Sequence, residues 1–212
     1  MPKIAWCLAL PTALVGHVVA ATIEARVADA SGAPIADAVV YAVPAAGGGE
    51  LRGKKLAAIE QVDREFVPFV SVVQAGTAVT FPNRDPIQHH VYSFSPAKNF
   101  EIKLYSGKSP NEIVLDKPGV VTLGCNIHDW MIGYVLVVPT PHFAKVDATG
   151  KARLTDLRAG TYEVRAWHPL QRAAAANVPV TVDATGVARA DFNLAVEARK
   201  PRYKPPLDRM KY

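Results

Sequence analysis

The sequence predicts an all-β protein. Alternating or β-branched runs such as ATIEARVA, DAVVYAV, HHVYSF and YVLVV recur from residue 21 onwards, and such runs are typical of strands. Turn signals such as SGAP, PNRDP, DATG and RAG separate these runs. No long stretch keeps a helical period with caps at both ends, so we expect one or two β-sandwiches.

The first twenty residues differ from the rest of the chain. MPK is a positively charged N-terminal region, IAWCLALPTALVG is an apolar region, and HVVA followed by AT is a cleavage region of small residues. This pattern predicts a secretory signal peptide over residues 1–20, cleaved after Ala20. An uncleaved N-terminal anchor is the alternative. We therefore expect the mature protein to be periplasmic or secreted.

Cysteine usage follows from the predicted export. Cys7 leaves with the leader, so Cys125 has no partner for an internal disulfide. A lone thiol in an oxidising compartment is open to oxidation unless something occupies it or it is buried as a small hydrophobe.

The net charge of +5 comes from the two ends of the chain. Lys3 belongs to the leader, and the predicted flexible tail, residues 197–212, holds six basic against two acidic residues. The body is therefore neutral overall and has no basic bias that would indicate nucleic acid. The tail offers a weak contact with an acidic partner or an anionic membrane, or it only solvates the terminus.

Two separated segments share a second β pattern. Residues 23–43 combine strand, Gly-Pro turn and strand, and residues 145–169 continue with turn, strand, turn and strand. Together they resemble the small prealbumin-like sandwich of the carboxypeptidase-regulatory type. We interpret residues 21–54 and 141–196 as two halves of one sandwich into which a domain of residues 55–140 is inserted at a loop, where insertion is tolerated best. Two unrelated β elements flanking a central domain are the alternative.

The central segment contains a set of metal-ligating residue types. In GCNIHDWMIG, Cys125, His128 and Met131 lie at even spacing on a loop between two predicted strands. FPNRDPIQHHVYSF presents His89 and His90 at the start of another strand. A thiolate, two imidazoles and a weak thioether form the donor set of a blue-copper site. Zinc also accepts Cys and His but has little use for a thioether.

At these residues the segment resembles cupredoxins, and among them the amicyanin-like proteins. That loop has Cys, two residues, His, two residues, Met, one residue and Gly, and upstream a His follows six residues after Asn in a V-T-W-x-N-R-E pattern. The likeness covers about eighty residues. It implies a cupredoxin Greek-key β-sandwich with one mononuclear type 1 copper site. The matching positions here are Cys125, His128, Met131, Gly133, Asn83 and His89.

The resemblance also implies a role for each ligand. Cys125 would supply the dominant electronic coupling, and Met131 would be the weak axial ligand. His89 would be the buried histidine, and His128 the ligand nearest the surface and the route for electrons. His90 stands where the family often has an Asn that braces the loop, so it either bonds Asn126 or is a plain exposed residue.

A closed set of four ligands predicts an electron carrier rather than an enzyme. The additional His ligands of multicopper oxidases and copper nitrite reductases are missing, as is the second loop cysteine of a dinuclear centre. The expected partners are exported redox proteins such as a c-type cytochrome or a quinoprotein dehydrogenase. A periplasmic copper-binding or copper-delivery factor is the alternative, and a structural module with a vestigial site is a third.

Overall fold

A computed structural model describes residues 21–47, 55–198 and 206. The predicted signal peptide and nearly all of the predicted basic tail lie outside these residues. Within them the chain is all-β, with seventeen strands and no helix. The described residues accordingly include no helix long and apolar enough to cross a membrane. The strands are β1 (Ala21–Ala28), β2 (Val39–Pro44), β3 (Leu56–Ala58), β4 (Glu60–Val62), β5 (Glu65–Val67), β6 (Val70–Gln74), β7 (Thr77–Thr80), β8 (His89–Ser95), β9 (Lys98–Tyr105), β10 (Ile113–Leu115), β11 (Gly119–Gly124), β12 (Ile132–Val138), β13 (Phe143–Lys145), β14 (Lys151–Leu157), β15 (Gly160–Trp167), β16 (Val178–Val182) and β17 (Val187–Asn193).

The middle of the chain builds one sandwich. Its larger sheet has the strand order β6-β12-β11-β8-β9, and its smaller sheet has the order β10-β7-β3. Alternate residues of these strands point inward, as the period of two requires, and form a buried cluster that includes Val79, Val91, Leu123 and Val135. The short β4 and β5 pair as a separate hairpin.

The segments before and after this sandwich build a second one together. Its sheets have the orders β14-β1-β17 and β13-β2-β15-β16, so both early strands pair only with late ones. Ile23, Val40, Leu154, Val164 and Phe192 belong to its buried core. One β-sandwich thus interrupts another in sequence, which is the predicted architecture. The bounds at residues 54/55 and 140/141 stay predictions.

A third apolar cluster joins the two sandwiches. Val39 of β2 is buried with Val70, Leu136 and Val138 of the large central sheet, and Val120 and Trp167 pack against them. Leu136 and Val138 alternate along β12 with Val135 and Val137, which face the central core. The outer face of the large sheet is therefore buried at its β6–β12 end. Full burial of an aliphatic side chain contributes about 1.5–3 kcal/mol, so this contact stabilises both sandwiches.

Candidate metal centre

The loop between β11 and β12 holds three of the predicted ligands. The two strands pair antiparallel up to Gly124 opposite Ile132, so residues 125–131 form the connection. The Met131 N–H donates to the His128 carbonyl oxygen at 2.8 Å. This tight turn folds the loop back on itself above the sheet.

His89 reaches the same place from the start of β8. The preceding turn is fixed by Asn83, whose Nδ2 donates to the carbonyl oxygens of Ile87 at 2.8 Å and Tyr105 at 2.9 Å. The Oδ1 of Asn83 accepts the Asp85 N–H at 2.9 Å. Because β8 pairs with β11 next to the loop, this turn brings His89 to the loop.

Three predicted ligands meet in the structure. One donor atom each from His89, Cys125 and His128 lies within 4.8 Å of the others, and the Cys125 Sγ is 3.7 Å from the His128 Nδ1. The side chains are 0%, 3% and 0% exposed, respectively. Met131 is buried in the same apolar cluster as Cys125, and its thioether as a fourth ligand stays a prediction.

The hydrogen bonding of His89 fits a metal. Its Nε2 lies 2.7 Å from the Asp85 Oδ2, so Nε2 carries the proton and Nδ1 keeps its lone pair. That Nδ1 is buried and has no hydrogen-bond partner. Leaving such an atom unsatisfied costs about 1–3 kcal/mol, whereas a metal ion would satisfy it. Together with a thiol and a second imidazole, the donors suit copper.

The Cys125 thiol is tuned by two opposing effects. Burial, with a smaller contribution from the charge of Asp129, raises the pKa of this thiol, whereas the nearby backbone N–H groups of His90, Ile127 and His128 lower it, and the net shift is upward. The thiol is therefore protonated at neutral pH in the absence of a cation. A metal ion would displace this proton, and the three N–H donors are in place to stabilise the resulting thiolate.

His128 is held neutral. Burial is the main cause that lowers the pKa of His128 to about 4; the positive charge of Arg64 adds to it, and Asp85 opposes the shift. A neutral imidazole is the form that ligates metals. His128 is thus ready to bind at neutral pH without losing a proton.

The hairpin β4–β5 packs against β12, just after the ligand loop. Its turn residues Asp63 and Arg64 both have positive φ, 51° and 58°, a left-handed conformation that costs about 1–2 kcal/mol per residue. Asp85 offsets this cost because its carboxylate accepts both backbone N–H groups, at 2.6 Å and 2.8 Å. Phe66 of the hairpin lies so close to Gly133 that a Cβ there would be 2.8 Å from the Phe66 Cβ.

His128 is buried in contact with Trp130. Its ring lies against the Trp130 ring, with 5.1 Å between ring centroids, and the residue is 0% exposed. Trp130 itself is half-buried and covers part of the His128 ring. The expectation that His128 is the ligand nearest the surface stays a prediction.

The remaining histidines have other partners. The His90 Nε2 lies 2.8 Å from the Glu101 Oε1 and 3.5 Å from the Asn126 Nδ2. One N–H cannot donate to Glu101 and accept from Asn126 at once, so Glu101 is the main partner. His142 contacts the Tyr162 ring, and the His168 Nδ1 accepts the Leu170 N–H; both lie in the second sandwich.

Sequence reasoning missed Asp85 and the hairpin. Asp85 stands four residues before His89 in PNRDPIQHH, and that spacing was the available signal. Nothing local in VDREFV indicates that these residues lie beside the ligand loop.

Comparisons with known proteins return solved structures only: no family model and no curated protein matches the chain. A purple cupredoxin from Nitrosopumilus maritimus is 24% identical, covers 39% of this chain and 99% of its own, and has a TM-score of 0.35. A copper-containing nitrite reductase from Thermus scotoductus SA-01 is 24% identical over 45% of this chain and 25% of its own, with a TM-score of 0.38. A copper(I) amicyanin mutant is 16% identical over 39% of this chain and 82% of its own, with a TM-score of 0.37. Because these values are low, the function proposed below rests on the donor atoms of this chain.

Proposed function

We propose that this chain is an exported type 1 copper protein that carries one electron at a time between redox partners. The observation that supports this most directly is the buried cluster of His89, Cys125 and His128, whose donor atoms lie within 4.8 Å of one another. Bound copper would supply a Cu(II)/Cu(I) couple, which a thiolate and imidazoles accommodate in both states.

The scaffold suits such a carrier because contacts within the protein hold the ligand residues in place. His89 is held by the 83–87 turn and Asp85, and the loop of Cys125 and His128 is closed by paired strands. A site held this rigidly changes little between oxidation states, so less reorganisation accompanies each electron. Met131 is proposed as the fourth, weak ligand, which would leave no position for a substrate.

Partners and location are proposed on the same grounds. The apolar leader suggests a periplasmic or secreted protein, and such a carrier would serve an exported redox protein such as a c-type cytochrome or a quinoprotein dehydrogenase. The basic tail is proposed to add at most a weak contact with a membrane or an acidic partner.

The first experiment is spectroscopic. The mature chain from Ala21 receives one equivalent of Cu(II), and visible and electron paramagnetic resonance spectra are recorded for the wild type, Cys125→Ser and the control His142→Ala. We expect an intense charge-transfer band and narrow copper hyperfine splitting in the wild type and the control, both lost in Cys125→Ser. Pale, tetragonal copper in all three proteins would refute the type 1 site.

Copper delivery is the alternative, and ligand burial disfavours it because a delivery protein needs exposed, exchangeable ligands. All three clustered side chains are at most 3% exposed. We therefore expect a copper(I) chelator in excess to remove the metal over hours rather than seconds from the folded protein. Rapid removal without unfolding would favour delivery.

A further inference from the structure

A row of aromatic rings runs along the outer face of β8. His90, Tyr92 and Phe94 share this face because alternate strand residues point the same way. The ring centroids of His90 and Tyr92 are 5.7 Å apart, and those of Tyr92 and Phe94 are 5.1 Å apart. Phe94 is 75% exposed, more than any other large apolar side chain described. The row therefore leads from a buried histidine to the surface.

The middle of this row touches Gly124, the residue before Cys125. Tyr92 pairs with Gly124, and its ring lies so close that a Cβ on Gly124 would be 2.6 Å from the Tyr92 Cζ. Gly124 is joined to Cys125 by a peptide bond. The ring contact of Phe94 with Tyr92, the close approach of Tyr92 to Gly124 and this peptide bond thus connect Phe94 with Cys125.

The outer face of the large sheet is only half covered. Val120 of β11 packs into the cluster that joins the two sandwiches, whereas Gly124, on the same face of the same strand, lies under Tyr92. The surface around Phe94 is therefore a direct continuation of a face that already forms an apolar interface. The second sandwich occupies one end, and the aromatic end stays open.

Few charged side chains lie beside the row, and their charges balance. On β9, Lys98 pairs with Asp116 at 2.8 Å. Glu101 lies 2.8 Å from the His90 Nε2, and Lys103 on the same strand has the opposite charge to Glu101. A surface of this kind complements an uncharged, apolar partner better than a strongly charged one.

We propose that the surface formed by Tyr92 and Phe94 docks an exported haem protein whose exposed haem edge has an uncharged, apolar rim. The inference rests on the proposed copper site and adds a second route to Cys125, through Tyr92, beside the His128 route that the resemblance implies. In the exchange the haem Fe(II) loses one electron and becomes Fe(III), Cu(II) gains it and becomes Cu(I), and no bond or proton changes. Tyr92 and Phe94 act by positioning the partner next to the connection to Cys125.

Binding is tested first, without electron transfer. The copper(I) protein, labelled with ¹⁵N, is titrated with a reduced small c-type cytochrome that has an uncharged rim around its haem edge. We expect shift changes at the amides of Tyr92, Phe94 and Asn99 and none in residues 125–131. Changes confined to residues 60–67 and 125–131, or no changes, would overturn the proposal.

The rate is tested next, in copper-loaded variants that retain the type 1 spectrum and the reduction potential. Phe94→Ser should lower the second-order rate constant with the reduced cytochrome about tenfold, as for an aromatic hot spot, and Phe94→Tyr should restore it. The matched controls are Leu56→Ser on the opposite sheet, 65% exposed, and Val62→Ser on the hairpin, 37% exposed. We also expect little dependence on ionic strength, because the surface is apolar.

The outcomes separate the two proposals. Two results overturn this inference while the type 1 spectrum is normal: an unchanged rate constant in Phe94→Ser, or a rate constant that falls in Val62→Ser instead. Both leave the proposed electron-carrier function intact. A wild-type protein without a type 1 spectrum overturns the proposed function and this inference together.

Discussion

The Nε2 of His89 lies 2.7 Å from the Oδ2 of Asp85, and the same carboxylate binds the turn of the hairpin beside the ligand loop. Burial raises the pKa of Asp85, but hydrogen bonds from His89 and from the Arg64 and Asp63 amides outweigh it and hold the pKa below its usual value. One charged side chain therefore fixes a ligand, its tautomer and a neighbouring hairpin.

Replacing Asp85 should disturb the position of His89, the tautomer of its ring and the turn of the hairpin. We expect Asp85→Ala to lower the free energy of unfolding by about 1–3 kcal/mol, because two turn amides and a ring nitrogen lose their acceptor. The copper hyperfine splitting should also change, since His89 loses its orientation. Urea titration and electron paramagnetic resonance measure the two effects.

Asp116→Ala is the control for this variant. Asp116 pairs with Lys98 at the surface, and exposed ion pairs contribute little to stability because water and salt screen them. Equal losses of stability in both variants, with unchanged copper spectra, would contradict the role given to Asp85.

Gly133 should not tolerate a side chain. A Cβ at Gly133 would lie 2.8 Å from the Cβ of Phe66, which is buried and cannot swing away. We expect Gly133→Ala to reduce the free energy of unfolding by about 1–3 kcal/mol through overpacking, as measured in urea. In Gly186→Ala the nearest atom is 3.6 Å away, so that variant should unfold like the wild type; equal losses in both would refute the close packing of the hairpin.

Tyr105 should make the protein sensitive to high pH. Burial raises the pKa of Tyr105 to about 12, with Cys125 adding to the shift and the Gln61 hydrogen bond opposing it. The unfolded chain ionises near pH 10, so the folded state holds this proton more tightly. The associated stability is complete below about pH 10 and is lost as the pH rises towards 12.

Comparison with Tyr105→Phe isolates this contribution. The wild type should lose more free energy of unfolding than the variant between about pH 9.5 and 11, a range chosen around the unfolded-state pKa. Parallel pH profiles would show that ionisation of Tyr105 does not differ between the folded and unfolded states.

The two cores should respond separately to truncation. Leu154 lies in the core of the second sandwich and Leu123, two residues before Cys125, in the central one. Each Leu→Ala change should lower the free energy of unfolding by about 2–5 kcal/mol. We expect only Leu123→Ala to weaken the copper charge-transfer band, and an equal loss in Leu154→Ala would indicate that the two sandwiches form one unit.

Local patterns predicted much of the candidate site. The period-two runs gave the strands because alternation reflects a half-buried sheet, and the spacing of Cys125, His128 and Met131 placed them on one short loop. Whether Met131 ligates, and whether residues 1–20 are removed as a leader, stay predictions.

The sequence alone thus determined the strands, the ligand loop and the residue types of the site, because these depend on neighbours within a few positions. Only the tertiary structure decided that β1 pairs with β14 and β17, that the hairpin turn at Asp63 and Arg64 binds Asp85, and that the buried His128 ring packs against Trp130. These features join residues that are distant in the chain or depend on which side chain folds over another. They arise from burial and hydrogen-bond satisfaction across the whole fold, which no local spacing encodes.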